Sequence, residues 1–314
     1  MAGIGVVLNP RSRRNLGDPG AATRLARTLG DHGVVREARS RDELHDIAAD
    51  FKRFGIDILG ISGGDGTNHV TLTGFIEVYK GIALPRVAFL RGGTMNTVAN
   101  SLGVQRGRPE GLLERLIQAY VEEKTKPLAN VRRRVMNIGG QYGFIFGTGI
   151  VCGYMSEYYA GGTPSAVVGA KTVIRGIGSA IVQGEMIRRM AEPFRGKVVL
   201  ADGTTWEERD YLSVAAGTVD QIGLNFRPFY RCLERSDAFH LLGIKTTALG
   251  FAGQLPRVWQ GKPMRDGCTE EAVTARAAVL SSGKTTRYMI DGDLHDGPPE
   301  LEISMGPRVE IVVA

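Results

Sequence analysis

The fold of the first half of the chain is decided by residues 56–67, IDILGISGGDGT. An apolar run that ends in a glycine-rich turn, followed by helical spacing, predicts a strand, a tight turn and a helix. The glycines let the backbone turn sharply and leave its N–H groups open to a ligand, and the helix adds the positive end of its dipole. Asp65 supplies a carboxylate. The stretch therefore predicts a phosphate-binding turn at the end of a strand.

Two other apolar runs end in polar loops of a similar kind. The run at residues 4–8 leads into NPRSR at residues 9–13, and the run at residues 86–90 leads into GGTMN at residues 92–96. Helical segments lie between the runs, and Ser40 begins a capping box for one of them. This alternation predicts a parallel sheet, whose strands end at one edge where such folds bind ligands. We therefore expect the loops to converge on one site.

Together with Asp291-Gly292-Asp293, these motifs resemble those of the diacylglycerol kinase catalytic-domain family, which includes sphingosine kinases and bacterial lipid kinases. The resemblance spans nearly the whole chain. It implies an N-terminal α/β domain with a parallel sheet, of the NAD kinase/diacylglycerol kinase-like type, and a C-terminal β-sandwich-like domain. It also implies an ATP-dependent kinase that uses Mg²⁺ and phosphorylates a hydroxyl of a lipid, such as diacylglycerol or a sphingoid lipid. Thr97 and Asp293 depart from the family, where Asp and Glu are usual.

The resemblance assigns roles to individual side chains. Asp293 occupies the position of the proton acceptor, and Asp291 is the alternative for that role, although Asp-Gly is also common in hairpin turns. Asp65 is expected on the phosphate side, as a catalytic carboxylate and a ligand of Mg²⁺. The residues expected to hold the nucleotide are Asn9, Pro10, Arg11, Ser12, Arg13, Ser40, Gly63, Gly64, Asp65, Gly66, Thr67, Asn68, Gly93, Thr94 and Asn96.

Composition limits the environment and the partners. The chain has 314 residues, with 39 Lys+Arg against 33 Asp+Glu, and this basic balance suits phosphates or an anionic membrane. We expect a lipid substrate at a membrane surface, a homodimer as an option, and no nucleic acid. The three cysteines have no paired spacing and no apolar run reaches about 20 residues, which predicts a cytoplasmic protein with peripheral membrane association as an option.

A polar stretch that ends in proline, residues 124–127, predicts the domain boundary. Residues 1–127 are then a nucleotide-binding α/β domain. Residues 128–314 are a β-rich lipid-substrate domain, because short strand-like segments alternate there with Gly, Pro and Asp.

A helical insertion near residues 165–190 interrupts this β pattern. Lys171 and Arg175 lie between its apolar residues. The apolar side is expected to pack on the sandwich, with docking on a membrane as the alternative. The apolar residues that recur at helical spacing are Val167, Ala170, Ile174, Ile177 and Ile181.

Three other functions remain open. Residues 60–64, GISGG, fit the Gly-x-Ser-x-Gly elbow of α/β-hydrolases, with Asp291 and His295 as later partners. An NAD kinase-like nucleotide kinase shares Gly-Gly-Asp-Gly, although the Asn-Glu pair of such enzymes does not occur in this sequence. A non-catalytic nucleotide- or lipid-binding protein is compatible with the residues at 97 and 293. His69 is interpreted as a surface residue of the helix after the glycine loop.

Overall fold

The structure is a computed structural model that describes residues 3–123, 125–161 and 165–313, with the backbone alone at Arg13. It divides into two compact units. Unit 1 contains Met1–Arg133 and Pro307–Ala314, and unit 2 contains Arg134–Gly306. Lys124, the first residue of the predicted boundary, lies outside the described residues.

Unit 1 alternates strands and helices, as expected from the sequence. Val6 and Leu8 turn one way from their strand into a core of leucines from two helices, while Gly5 faces Phe51 on the other side. This alternation follows from the two-residue period of a strand. The elements are β1 (Ile4–Leu8), α1 (Arg13–Leu16), α2 (Ala21–Leu29), β2 (Gly33–Glu37), α3 (Arg41–Phe54), β3 (Ile58–Ser62), α4 (Asp65–Tyr79), β4 (Arg86–Phe89), α5 (Thr97–Ser101) and α6 (Pro109–Glu122).

The strand order places a topological switch inside the sheet of unit 1. β1 pairs in parallel with β2 on one side and with β3 on the other, and β4 follows β3. The chain therefore builds the sheet first in one direction from β1 and then in the other. Ligands of open α/β sheets bind at the carboxyl ends of the strands beside such a switch. The loops after β1 and β3 occupy that position.

Unit 2 is rich in antiparallel strands. Its sequence is dominated by short segments with β-forming residues, which cannot bury both faces unless a second layer covers them. The elements, of which the first and the last also extend into unit 1, are β5 (Asn130–Ile138), β6 (Gln141–Gly143), β7 (Ile145–Gly147), α7 (Ile150–Ala160), α8 (Ala166–Ile181), α9 (Glu185–Met190), β8 (Phe194–Leu200), β9 (Thr205–Tyr211), β10 (Ser213–Gly217), β11 (Phe239–Ile244), α10 (Ala248–Trp259), β12 (Thr269–Thr274), β13 (Arg276–Ser281), β14 (Thr286–Ile290), β15 (Asp293–Gly297) and β16 (Glu300–Val312).

Two layers of strands enclose the core of unit 2. One sheet has the order β12-β11-β10-β7-β14-β15, and the other layer contains β16-β13-β8-β9. Phe146, Phe239 and Ile290 of the first layer pack with Val198 and Val279 of the second in one buried cluster. The expected α/β domain and β-rich, sandwich-like domain are both confirmed.

The helical insertion of unit 2 consists of two helices, α8 and α9. The chain leaves the helix at residues 182–184, where Gln183 has a φ of 51°. The expectation that its apolar side packs on the sandwich is wrong, since Val167, Ile174 and Ile181 are exposed. The small residues of α8 are buried instead. Among the described residues, no helix combines the length and the apolar character needed to cross a bilayer.

The chain passes from unit 1 to unit 2 between Arg133 and Arg134, whereas the sequence predicts the boundary after residue 127, and the end of the chain returns to unit 1. Ile311 is completely buried and pairs in parallel with Val87 of β4. Val312 joins the leucine core of unit 1. Pairing between strands so distant in sequence leaves no local signal, because the pattern shows a strand but not its partner.

Replacement of Ile311 by alanine tests this assignment. Ile311→Ala should destabilise the protein by about 2–4 kcal/mol, since it removes a fully buried branched side chain and leaves a cavity. Urea unfolding followed by far-UV circular dichroism measures the change. Val121→Ala, at a half-exposed position of α6, is the control and should stay within about 0.5 kcal/mol of the parent. An equal effect of the two changes would contradict the placement of Ile311 in the core.

Candidate functional site

Two glycine loops of unit 1 touch each other through their backbones. A Cβ added to Gly93 would lie 2.3 Å from the Cα of Gly64, and one added to Gly92 would lie 2.9 Å from the nitrogen of Gly63. Real Cβ atoms do not approach a backbone so closely. β3 and β4 are neighbours in the sheet, so glycine at these positions allows the loops that follow them to meet. The expected convergence of these two loops is present.

The loop after β1 joins the same place through hydrogen bonds. Asn9 Nδ2 donates to Thr67 Oγ1 at 3.0 Å. Asn15 of the short helix α1 donates through Nδ2 to the carbonyl of Asn9 at 2.8 Å and to that of Ser62 at 3.3 Å. Asn9 follows β1 and Ser62 is the last residue of β3, and these two strands are neighbours. The bonds therefore hold the two strand ends at the topological switch in one arrangement.

Helix α4 begins inside the glycine loop. Its first intrahelical bond runs from the N–H of Asn68 to the carbonyl of Gly64 at 3.0 Å. The N–H groups of the preceding turn, which includes Gly66 and Thr67, therefore have no acceptor within the helix. N–H groups at the start of a 15-residue helix form a binding site for anions, because they add to the positive end of the dipole.

Asp65 links the two glycine loops rather than projecting freely. Its Oδ2 accepts the N–H of Thr97 at 2.8 Å, and its Oδ1 accepts the N–H of Val98 at 3.0 Å, so it caps the start of α5. Burial raises the pKa of the Asp65 carboxyl above its ordinary value, and the two N–H donors oppose that rise. A carboxylate with both oxygens held in this way has a structural role whatever else it binds.

The loop between β4 and α5 is held by its own side chains. Asn96 has a left-handed backbone, with φ of 48°, and its Nδ2 donates to the carbonyl of Gly93 at 2.8 Å. Arg91, also left-handed and only 7% exposed, donates to Asn100 and to the carbonyl of Val104. Burial lowers the pKa of the Arg91 guanidinium, and the charge of Asp65 opposes this. The structure thus adds a buried cation to the site.

Some buried polar atoms at this edge have no protein partner. They are Ser12 Oγ, Ser62 Oγ and Asn68 Oδ1, for which the described part of the chain offers no hydrogen bond. Each lies after or at the end of a strand, or in the first turn of α4. An unsatisfied buried polar atom is costly, so a cluster of them suits a polar ligand with several acceptors and donors. The residues therefore fit a nucleotide phosphate chain.

Other residues predicted to hold the nucleotide are exposed or half-buried, or make a different contact. Thr94 and Arg11 are exposed, and Pro10 is half-buried. The side chain of Arg13 lies outside the described residues. Ser40 is exposed and caps α3, where its Oγ accepts the N–H of Glu43 at 3.1 Å. The sequence predicts Ser40 both as a helix cap and as a nucleotide ligand. This bond shows the helix cap.

The predicted role of Asp65 as a Mg²⁺ ligand is not accompanied by a preformed set of ligands in the part of the chain that the structure describes. Among the described residues, no group of three or more His, Cys, Asp or Glu side chains is placed to hold a metal ion. Mg²⁺ often keeps water and takes only one or two protein carboxylates together with substrate phosphates. Asp65 thus fits Mg²⁺ only as a single contact to an ion that the phosphates also hold.

In unit 2, Asp291 is part of a tight turn between β14 and β15. Its φ of 46° and the φ of 96° at Gly292 are those of a two-residue hairpin. The buried carboxylate accepts the N–H of Phe144 at 3.0 Å and that of Ile145 at 2.8 Å. These bonds make Asp291 a structural residue that joins the hairpin to β7.

Asp293 follows the turn, and its environment differs from that of Asp291. No hydrogen bond reaches its carboxylate from the described part of the chain, and it is only partly exposed. Burial raises the pKa of Asp293, and the nearby His295 opposes the rise. Helix α7 borders the turn, since Tyr159 Oη donates to the carbonyl of Gly292 at 3.0 Å. Asp293 is therefore the carboxylate of this pair with capacity to accept a proton.

Two interpretations of the sequence are corrected by burial. Ser62, the nucleophile of the hydrolase alternative, is fully buried in the last position of β3, whereas such a serine must be exposed on its turn. His69 is also fully buried in α4 and is not on the helix surface. Both positions face the interior because the residues around β3 and α4 are covered on nearly every side.

Three residues that shape the site, Arg91, Asn15 and Asn100, were not predicted from the sequence. Arg91 carried a signal, since a charge directly after a buried strand needs an explanation. Asn15 and Asn100 carried none, because an asparagine in a short polar helix is ordinary. Their roles depend on carbonyl groups that only the folded backbone brings near.

Residues 3–126 match the family model described as diacylglycerol kinase catalytic domain. No curated protein matches the chain significantly. A solved diacylglycerol kinase from Bacillus anthracis str. Sterne has a TM-score of 0.64, and two structures from the same organism, assigned provisionally to the diacylglycerol kinases, have TM-scores of 0.70 and 0.68.

Each of the three structures is 16% identical to this chain, and each alignment covers 99% of this chain and 97% of the other. At that identity the likeness shows a shared fold. The family match covers the glycine loops and the loop after β1. The resemblance drawn from the motifs is thus confirmed by the match of residues 3–126 to the model of the diacylglycerol kinase catalytic domain.

Proposed function

We propose that the protein is an ATP-dependent kinase that phosphorylates a hydroxyl group of a lipid. The observation that carries this proposal is the backbone contact between the loops of Gly64 and Gly93 at the start of α4. This contact leaves N–H groups and unsatisfied polar atoms at the carboxyl edge of the sheet. The family match supports a lipid kinase, and the substrate class is our inference.

The donor side would be held by unit 1. The first-turn N–H groups of α4 and the hydroxyl of Ser12 bind phosphate oxygens, and Asn9 keeps Thr67 in place. The buried guanidinium of Arg91, which follows β4, adds positive charge to this site. When bound, ATP with Mg²⁺ supplies the transferable phosphoryl group.

The acceptor side would use Asp293 of unit 2. Phosphoryl transfer to an alcohol needs a carboxylate that orients the hydroxyl and accepts its proton. Asp291 is engaged by backbone N–H groups, so Asp293 is the better candidate for this role. Tyr159 and Met155 lie against the same turn and provide apolar surface beside it.

Gly93→Ala tests the donor site. The added methyl group would meet the Cα of Gly64 at 2.3 Å, so the loops must separate and ATP affinity should fall at least about 10-fold, as expected for a strain of 1–3 kcal/mol. Titration calorimetry with ATP and Mg²⁺ measures the affinity. Gly111→Ala, where a Cβ meets open space in α6, is the matched control. Equal ATP affinity of the two variants would rule out this donor site.

Asp293→Asn tests the acceptor site. Turnover with radiolabelled ATP and a panel of diacylglycerol, sphingoid and ceramide micelles should fall at least about 10²-fold, while ATP affinity is kept. The variant should also have a higher Tm. Since burial raises the folded pKa of Asp293, the carboxyl stabilises the fold at pH below its unfolded pKa and loses this contribution as pH rises, so the ionised form is a cost at neutral pH.

The matched control for this variant is Asp296→Asn, at an exposed position of the same strand. It should change neither turnover nor Tm appreciably. Near-normal turnover of Asp293→Asn would show that another group accepts the proton. ATP binding by the parent protein without transfer to any acceptor would favour the non-catalytic alternative.

The pH dependence of the rate gives a separate test. Asp293 must be ionised to accept a proton, and its pKa is raised by burial. The rate should therefore fall on the acid side with a midpoint above about 3.9, the ordinary value for aspartate. Asp293→Glu should keep turnover but move the midpoint, and Asp296→Asn should leave it unchanged. A midpoint that does not respond to Asp293→Glu would assign the titration to a different group.

A further inference from the structure

Helix α8 turns its large apolar side chains to solvent. Val167, Ile174 and Ile181 are 63%, 68% and 65% exposed, and Val182 just beyond the helix is 75% exposed. The first three are seven residues apart, about two turns of helix, so they form one continuous stripe. We call these four residues the α8 stripe. A soluble helix normally directs such side chains to the core.

The opposite side of α8 is fixed against its neighbours by small residues. A Cβ on Gly169 would lie 3.0 Å from Tyr154 Oη of α7, and one on Gly176 would lie 3.4 Å from Met190 Cε of α9. Tyr154 Oη also donates to the carbonyl of Gly169 at 3.3 Å. A side chain as large as isoleucine does not fit these contacts. The helix therefore cannot rotate to bury the α8 stripe without losing them.

Positive charge accompanies the α8 stripe. Lys171 and Arg175 are exposed on α8 and line a cavity of about 370 Å³. Glu157 of α7 also lines the cavity, and its carboxylate accepts a hydrogen bond from Arg189 Nε at 3.0 Å. The sequence has no Asp or Glu from residue 165 to residue 184. An amphipathic helix with exposed aliphatic side chains and basic residues but no acidic ones is complementary to the interface of an anionic membrane.

We propose that the α8 stripe, with Lys171 and Arg175, docks on the surface of an anionic lipid bilayer. A second copy of the chain is a poorer occupant. In a twofold contact through α8, the basic residues of one copy would face those of the other with no acidic residue of the helix to pair with them. A bilayer with anionic headgroups instead meets both the apolar and the basic part of this surface.

The proposal deepens the proposed function and rests on it for the identity of the acceptor. Helix α7 contacts α8 through Tyr154 and contacts the turn before Asp293 through Tyr159. Tyr159 is itself 44% exposed, and tyrosine is enriched at membrane interfaces. A bilayer on α8 therefore lies within one helix of the acceptor carboxylate, where a lipid hydroxyl is needed.

Vesicle flotation tests the docking surface without ATP or turnover. The full chain is mixed with vesicles of phosphatidylcholine alone or with 30% phosphatidylglycerol, an amount of roughly the order that gives a strongly negative surface. Ile174→Gln/Ile181→Gln should weaken binding to the anionic vesicles about tenfold. Lys171→Gln/Arg175→Gln should weaken it about tenfold or more and reduce its dependence on salt. The matched controls lie in unit 1 and should bind like the parent. They are Val121→Gln, at an exposed position of α6, for the apolar change, and Arg27→Gln/Arg36→Gln for the basic change.

Each outcome of the flotation experiment supports or overturns the docking proposal. The docking proposal is supported if both double variants lose binding to anionic vesicles while the controls and Asp293→Asn keep it. This result would stand even if no phosphotransfer is found, so the docking proposal and the proposed kinase function fail separately. Equal binding of every variant, or no binding by the parent, would overturn it. A parent dimer in light scattering that Ile174→Gln/Ile181→Gln dissociates, with vesicle binding unchanged, would assign the α8 stripe to a second copy instead.

Discussion

The contact between the backbones of Gly64 and Gly93 is the constraint on which the candidate site depends. Two loops from neighbouring strands approach so closely that no side chain fits between them. Their approach allows Asp65 to reach the N–H groups that begin α5. It also leaves the first turn of α4 open at the carboxyl edge of the sheet, next to Asn9 and Thr67. The positive end of one helix is thus available to an anion, while that of its neighbour is already neutralised.

Three carboxylates that look alike in sequence divide into two kinds in the structure. Asp65 and Asp291 each sit beside a glycine and each accept two backbone N–H groups, so their charge holds separate segments together. Asp293 is desolvated, and no such donor reaches it from the described part of the chain. A buried carboxylate without donors costs stability, and proteins keep such costs where chemistry requires them. The same residue type therefore holds segments together at two positions, and at the third it is the carboxylate that we propose as the proton acceptor.

Helix α8 shows a related separation between pattern and packing. Helical spacing of apolar residues identified the helix correctly, yet the side that packs is the one with Gly169, Gly176 and Ala180. Close approach of neighbouring helices favours small residues and can outweigh the burial of larger ones when another surface is available to cover them. An apolar period thus indicates that a helix exists and which side is apolar, but not which side faces the protein.

The sequence by itself determined the alternating strands and helices of the first unit, the β-rich second unit, the loops at the strand ends and the resemblance of residues 3–126 to the diacylglycerol kinase catalytic domain. These features depend on local periodicity, on glycine at turns and on the order of short motifs, all of which are visible in neighbouring residues. Only the tertiary structure decided that Ile311 returns to the sheet of unit 1, that Arg91 is buried beside the loops, and that Asp291 is bound by backbone N–H groups. Each of these depends on atoms that are distant in sequence, and their contacts form only when the chain has folded, so no local pattern could encode them.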